Sequence, residues 1–442
     1  MSVLEPVLAD DRSGGLLSGS ALLIVANGLA AVFSLVYFSS LGHLMPPGEY
    51  GVVAAALSLG YLVSLVISPL ESGVAKFAAG YHALGDRDRL ATLTFGGLRR
   101  VRVPTLAILV AWMPIAVVVA AWLHMNGPMP LLWLGALWAL SLPAAIVRGA
   151  MRGDHRFLAY GMTQVVESMV RLPAGLVVIL GGAQAGGALF GYVAGSAAAV
   201  ALGLWFLRDL HRLPPSFSSE DTRSMFAASS PLFSVYLFLI FVVNVDVVAA
   251  RRFLSAHEAG LYGAAANVAR IIYLGATPIY QVLFSRVAAL HAERRPIRSL
   301  ALGAGGLLAG LLFASFAIPW FGGETILGLA LGRAYSPGAD VLRILWAATS
   351  LVVVEAVAVF VLIGTDRSRG AWGFVAPCLF MLVLLSRYHE TPRQVALCNL
   401  AGVSAGLPIL LIMALLPFRR SNGRATLADQ EINSASPTRK SV

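Results

Sequence analysis

Residues Asn244 to His291 read N-V-D-V-V-A-A-R-R-F-L-S-A-H-E-A-G-L-Y-G-A-A-A-N-V-A-R-I-I-Y-L-G-A-T-P-I-Y-Q-V-L-F-S-R-V-A-A-L-H. The pattern predicts the end of one apolar helix, a tight turn, and a second long helix that returns through the same medium. Asp246 interrupts the first apolar run. Gly260-Leu261-Tyr262-Gly263 opens the return helix, and Asn267 and Arg270, three residues apart, fall on one face of it. Acid, amide and guanidinium at such positions are costly in lipid, which marks them as candidates for function.

The same pattern occurs near the start of the chain. Gly48-Glu49-Tyr50-Gly51 opens an apolar helix that contains Pro69 and runs to His82-Ala83. Tyr50-Gly51 matches Tyr262-Gly263, and after a shift of about three residues Pro69 and His82-Ala83 fall on Pro278 and His291-Ala292. The chain therefore reads as duplicated, and internal repeats of this kind place a transporter's site between two halves.

Composition agrees with a membrane setting. Of 442 residues 58% are hydrophobic and only 12% are charged, with a mean hydropathy of +0.79. A water-soluble domain cannot wet its surface with so few charges. The net charge of +10 comes from arginines in short segments between apolar runs, so it reports topology and not a nucleic-acid surface. Cys378 and Cys398 lie within apolar spans without metal-ligand spacing and are read as buried thiols. The first residues lack the basic-then-apolar pattern of a cleaved signal.

Apolar spans of about 20 residues are expected at 17–41, 50–80, 102–123, 129–149, 158–181, 186–207, 226–250, 260–289, 299–320, 339–363, 370–386 and 395–416. This predicts an all-α polytopic membrane protein of about 12 helices in two six-helix lobes. The expected lobes are 16–213 and 226–416, with a short segment 1–15 before them, a polar proline-containing linker at 214–225, and a disordered tail at 417–442. Arginines concentrate in alternate connections: Arg87, Arg89, Arg99, Arg100 and Arg102; Arg148, Arg152 and Arg156; Arg208, Arg212 and Arg223. By the positive-inside rule these face the cytoplasm, as do both termini, and the loops on the other side are short.

Charges inside the spans are the site candidates. Glu167 and Arg171 stand at i and i+4 in the fifth helix, where they can neutralise each other or line a cavity. Asp246 and Arg270 differ in depth by about 9 Å at 1.5 Å per residue, within reach of a long arginine side chain, so an interhelical clasp is one reading and a polar lumen including Asn267 the other. Lys76 and Glu71 come after about twenty apolar residues of the second helix, near the cytoplasmic margin, where a lysine can snorkel. Arg343 lies near the outer edge of its helix as an interfacial anchor. Glu355 lies deeper, without an evident partner, and with Asp246 is a candidate for coupling to a proton or other cation. Nothing in the motifs points to an enzyme, a cofactor or a metal: the glycine runs are not preceded by strands, and His43, His155, His257 and His389 have no metal spacing.

Four stretches carry a family resemblance: D-V-V-A-A-R-R-F-L-S-A-H-E-A-G-L-Y-G-A-A (Asp246 to Ala265), P-P-G-E-Y-G-V-V-A-A-A (Pro46 to Ala56), S-G-V-A-K-F-A-A-G (Ser72 to Gly80) and M-R-G-D-H-R-F (Met151 to Phe157). Together they resemble the polysaccharide-biosynthesis flippases, the Wzx-type members of the multidrug/oligosaccharidyl-lipid/polysaccharide (MOP) exporter superfamily. The resemblance implies two lobes related by a pseudo-two-fold axis around a central cavity, in the cytoplasmic (inner) membrane. It also implies a lipid-linked oligosaccharide as substrate, carried on undecaprenyl pyrophosphate, and a polysaccharide polymerase or export machinery as partner. Arg270 and Arg171, with Lys76 at the inner mouth, are the positions that would meet the pyrophosphate. Glu71, Glu167, Asp246 and Glu355 nearly balance them, which argues against a strongly anionic sugar repeat. Two other readings stay open: a cation-coupled multidrug antiporter of the same superfamily, and a non-transporting membrane component of a glycan-assembly complex.

Overall fold

Pro46 is extended and Pro47 occupies the first turn of a helix that then runs 37 residues, with Pro69 inside it. Proline is tolerated at that first position because its missing N–H would have had no partner there. This helix, α2 (Pro47–Ala83), is typical of the molecule, which a computed structural model describes over residues 12–212, 240–292, 298–364 and 375–415. The others are α1 (Arg12–Leu44), α3 (Arg87–Ala91), α4 (Gly97–Trp122), α5 (Met129–Gly153), α6 (Phe157–Val178) and α7 (Gln184–Phe206). They are followed by α8 (240–253), α9 (Ala256–Ala292), α10 (Arg298–Ser315), α11 (Ala317–Leu331), α12 (Ala339–Gly364), α13 (Val375–Arg387) and α14 (Pro392–Leu415). Among the described residues there is no strand.

The expected linker 214–225, residues 226–239 of the span expected at 226–250, residues 370–374 of that expected at 370–386, the first eleven residues and the tail beyond Leu415 lie outside the described residues. Elsewhere the helices match the expected spans closely, with two differences. The arginine-rich stretch after α2 is not a loop: α3 passes through a π-turn (Thr92–Gly96) directly into α4. The span expected at 299–320 ends as α10 at Ser315, and the chain bends by 51° into α11, which fills the connection expected to be a loop. Pro319 supplies the reason: it has no N–H for the carbonyl four residues back and its ring crowds that carbonyl. Counting α3–α4 and α10–α11 once each, the described residues form twelve helical segments.

Helix neighbours divide the chain into two sets. In the first, α6 packs along α7 and α1, and α5 along α2, α7 and α4; in the second, α12 packs along α9 and α14, and α13 along α14. The sets meet chiefly where α2 crosses α9, with a further contact of α1 on α11. A large apolar core runs through both sets. A second cluster (Leu70, Val74, Leu90, Met151 and Leu207 among its members) closes the arginine-rich end of the first. In hydrocarbon such packing rests on close van der Waals fit and small residues, since burial from water is no longer the driving term.

Candidate functional site

The α2–α9 crossing is built from the repeated Gly-x-Tyr-Gly. A Cβ added to Gly51 would lie 2.9 Å from the backbone nitrogen of Gly260, and one added to Gly260 would strike the carbonyl of Pro47. Only glycine lets the two backbones approach this closely. Tyr50 and Tyr262 are fully buried beside the contact. Further in, Arg270 Nη2 donates to Ser58 Oγ at 3.3 Å. Arg270 and Ser58 are 212 positions apart (270 − 58), the same offset as Tyr262 and Tyr50 (262 − 50). Equivalent positions of the two repeats therefore touch each other, which is what a pseudo-two-fold axis between α2 and α9 requires.

Around this axis the structure gathers the candidates of the second repeat. Arg270, buried, donates also to the Val243 carbonyl at 2.6 Å and to Asn267 Oδ1 at 3.3 Å. Asn267 Nδ2 in turn donates to the Tyr50 hydroxyl at 3.1 Å. Of the two readings, the direct clasp between Asp246 and Arg270 is not formed. Asp246 Oδ2 instead accepts from the Tyr262 hydroxyl at 2.7 Å, and its Oδ1 has no partner. The reason is depth: the Val243 carbonyl lies nearly a turn further along α8 and meets the guanidinium first. Asp246 and Arg270 still share one small cleft with Thr349 and Asn399, about 10 Å³ in volume, space for a single water. Glu355 on α12 is 1% exposed, and neither of its carboxylate oxygens has a partner among the described residues.

The first repeat handles charge differently. Arg171 Nη2 donates to Glu167 at 3.3 Å, as the i, i+4 spacing predicts. Its guanidinium lies 4.1 Å from the Tyr192 ring centroid, with Ser34 Oγ at 3.5 Å. The sequence reading missed the third member, Arg148 of α5, which is hydrogen-bonded to the other oxygen of Glu167. Arg148 lies 6 residues before Asp154 in the α5–α6 turn and Glu167 lies 13 after it, so counting depth from the turn gave no signal for the pair. Gly195 and Gly191 seat α7 directly on the backbone of Glu167 and Arg171, which fixes this pair in place. Lys76 is exposed, about 27 Å along α2 from Ser58 at 1.5 Å per residue, so it belongs to a different level from Arg270. Its neighbour Glu71 accepts from Arg152 at 2.9 Å, with the Tyr160 hydroxyl at 3.4 Å. Arg343 is tied to Asp340 and the Pro319 carbonyl beside Trp320.

At the arginine-rich end a network closes the first repeat. Asp154 accepts from His82 at 2.8 Å and from Arg156 Nε at 2.6 Å. Arg156 also makes a two-pronged contact with Asp209 at 2.9 and 2.6 Å. The Arg156 hydrogen bonds hold the Asp209 carboxyl below its ordinary range, and the same contact raises Arg156. The cross-repeat hydrogen bonds, by contrast, cluster towards the other end. Tyr335 donates to the Met45 carbonyl, and Arg251 to the His124 carbonyl, in addition to the Asn267–Tyr50 and Arg270–Ser58 contacts.

Comparison with known proteins places this geometry. The chain is similar to an inward-facing multidrug resistance MATE family transporter of the MOP superfamily: TM-score 0.74, 13% identity, covering 94% of this chain and 100% of that one. An outward-facing form of a MATE family transporter gives a TM-score of 0.53 at 14% identity, covering 91% and 93%. The lipid II flippase MurJ, in an inward closed conformation, gives 0.69 at 11% identity over 90% of this chain and 88% of that one. At such identities the likeness establishes the fold. Comparison with curated proteins returns no match. The family model described as polysaccharide biosynthesis protein matches residues 16–291. That span takes in the whole first repeat and the Gly-x-Tyr-Gly hairpin of the second, and the chain belongs to the polysaccharide biosynthesis protein family.

Proposed function

We propose that the protein flips a lipid-linked oligosaccharide, carried on an undecaprenyl pyrophosphate-type lipid, across the cytoplasmic membrane for surface polysaccharide assembly. The observation that carries this reading is the pair of buried guanidinium groups, Arg171 in one repeat and Arg270 in the other, within a MOP-type fold whose repeats are joined at one end. A glycan cannot cross hydrocarbon unaided, whereas its lipid tail never has to leave it. The protein needs only a wet cleft that opens sideways to lipid. Arginine suits the pyrophosphate because its planar fork gives charge-assisted, two-pronged hydrogen bonds. Arg270 exchanges its present partners, Ser58, Asn267 and the Val243 carbonyl, for phosphate oxygens, and in doing so releases α9 from α2. Rocking of one repeat against the other then alternates access between the faces. Glu355 and Asp246 are the groups that take up a proton or cation during the cycle. The substrate and any polymerase or export partner are proposals of the same reading.

The test is a deletion strain. Surface glycan is expected to disappear while undecaprenyl-linked oligosaccharide accumulates in the membrane, and Arg270→Ala is expected not to restore it. The buried carboxylates of the second repeat favour a second reading, a cation-coupled drug exporter. Normal glycan with new sensitivity to cationic dyes would select that one. Normal flipping by Arg171→Ala and Arg270→Ala combined would favour a non-transporting component of glycan assembly.

A further inference from the structure

On the flank of the first repeat, α4 packs chiefly on α5 among the described residues. Between α4, α5 and the end of α7 it leaves an open groove of about 390 Å³. Phe95, Leu98, Val101, Pro143 and Leu204 make its walls apolar. Its rim is basic: Arg99 and Arg102 come from the first two turns of α4, and His211 from the short turn after α7, its ring edge-on to Phe95 at 5.0 Å. The π-turn at Thr92–Gly96 sets this arrangement, because one extra residue in the turn rotates Phe95 and Arg99 relative to a straight helix.

Two features single the groove out. Arg87, Arg89, Arg148, Arg152 and Arg156 each have a carboxylate within ion-pair distance. Arg99 and Arg102 have none among the described residues, although both reach the same groove. In addition, Thr105 lines the groove with a buried hydroxyl that has no hydrogen-bond partner. A helical threonine ordinarily bonds back to a carbonyl one turn earlier, a bond this hydroxyl does not make among the described residues. The outer face of α4 is apolar and exposed at Val103 (74%), Leu106 and Val110, as a lipid-facing helix must be.

We propose that this groove binds one anionic phospholipid of the cytoplasmic leaflet. Its phosphate lies between Arg99 and Arg102 beside His211, and one acyl chain lies along Leu98, Val101 and Leu204 with the ester region at Thr105. Charge complementarity decides the occupant: two unneutralised guanidinium groups at the inner membrane margin attract a net-negative headgroup, and a zwitterionic lipid brings its own cation to the same place. The volume suits a single chain and not a whole lipid. The transported lipid is a poor fit, because α2, α9 and α12 contribute nothing to the groove, and a head group bound here lies outside the cleft between the repeats.

The test counts lipids on the full-length protein, extracted from vesicles of phosphatidylcholine with phosphatidylglycerol and examined by native mass spectrometry. Wild type is expected to retain one phosphatidylglycerol at least tenfold in preference to phosphatidylcholine, less so at high salt. Arg99→Gln with Arg102→Gln, both exposed and outside the packed core, is expected to abolish the preference. Leu204→Trp, which fills the groove, is expected to lower retention of either lipid. Equal retention of the two lipids by wild type, unchanged preference in the double variant, or displacement of phosphatidylglycerol by undecaprenyl phosphate would each overturn the proposal. The count is independent of transport, so it stands or falls separately from the flippase reading.

Discussion

In α6 the carboxylate of Glu167 sits between the guanidinium groups of Arg148 and Arg171, whereas in α12 the carboxylate of Glu355, more deeply withdrawn, has no partner on either oxygen. The first repeat sets its buried carboxylate between two guanidinium groups, which leaves the cluster one net positive charge and Arg171 Nε without a partner among the described residues. The second satisfies Arg270 with neutral dipoles, a carbonyl, a hydroxyl and an amide, and leaves Asp246 half satisfied. A carboxylate held by two guanidinium groups resists any change of state, because removing it strands both. Groups held by neutral dipoles can exchange partners at lower cost. The first repeat thus reads as a fixed electrostatic anchor and the second as the half in which charge and partners change.

Breaking the anchor has the largest expected effect. Glu167→Ala leaves Arg148 and Arg171 buried without their carboxylate and is expected to destabilise the protein by about 3–5 kcal/mol, measured as a fall in melting temperature in detergent. Asp246→Ala, which strands no opposite charge in direct contact, is expected to cost clearly less. Equal losses would sink the contrast. Next in size is the seam itself. Gly260→Val drives a side chain into Pro47 and is expected to cost about 1–3 kcal/mol while shifting the labelling of a cysteine introduced at the α2–α9 crossing. If accessibility there does not change, the crossing is not the contact that holds the repeats together.

Glu355→Gln sharpens the comparison from the other side. It is expected to change stability by less than about 1 kcal/mol, since no hydrogen bond is lost, yet to remove the dependence of flipping on a proton or sodium gradient in vesicles. Full gradient dependence in this variant would assign coupling elsewhere. The smallest effect belongs to the arginine-rich end. The Asp209 carboxyl is depressed by Arg156, so its contribution is present above the ordinary carboxylate pKa of about 3.9 and is lost as pH falls through the lower folded value. Hydrogen exchange in the Asp154–Phe157 turn is therefore expected to quicken only under acid conditions. Quickening near neutrality would point to another group.

Most of the helices were legible because each reports its medium: a run of about 20 apolar residues has one stable form in a bilayer. Single charges were legible as anomalies within those runs, which is how Glu167, Arg171, Asp246, Arg270 and Glu355 were found. What they touch was not. Arg148 looked like one more inside-facing arginine until α5 and α6 were laid side by side. Asp246 and Arg270 could equally be a clasp or two sides of a polar lumen, and only the structure gives the Val243 carbonyl to Arg270 and the Tyr262 hydroxyl to Asp246. The bend at Pro319 was written in the sequence, but a hydropathy window averages over a proline and runs straight through it.

By itself the sequence determined an all-helical membrane chain with a repeated pattern and a few costly charges inside, and predicted most of its arginines on one side, because hydropathy and periodicity are local properties. Only the tertiary structure decided which of those charges neutralise each other, and that Arg270 meets its own counterpart, Ser58, across the axis. It alone decided that Arg99 and Arg102 come to one open groove with no carboxylate beside them among the described residues. The physical reason is the same in each case. An ion pair or hydrogen bond acts over about 3–4 Å, and which groups come that close depends on how helices distant in sequence pack.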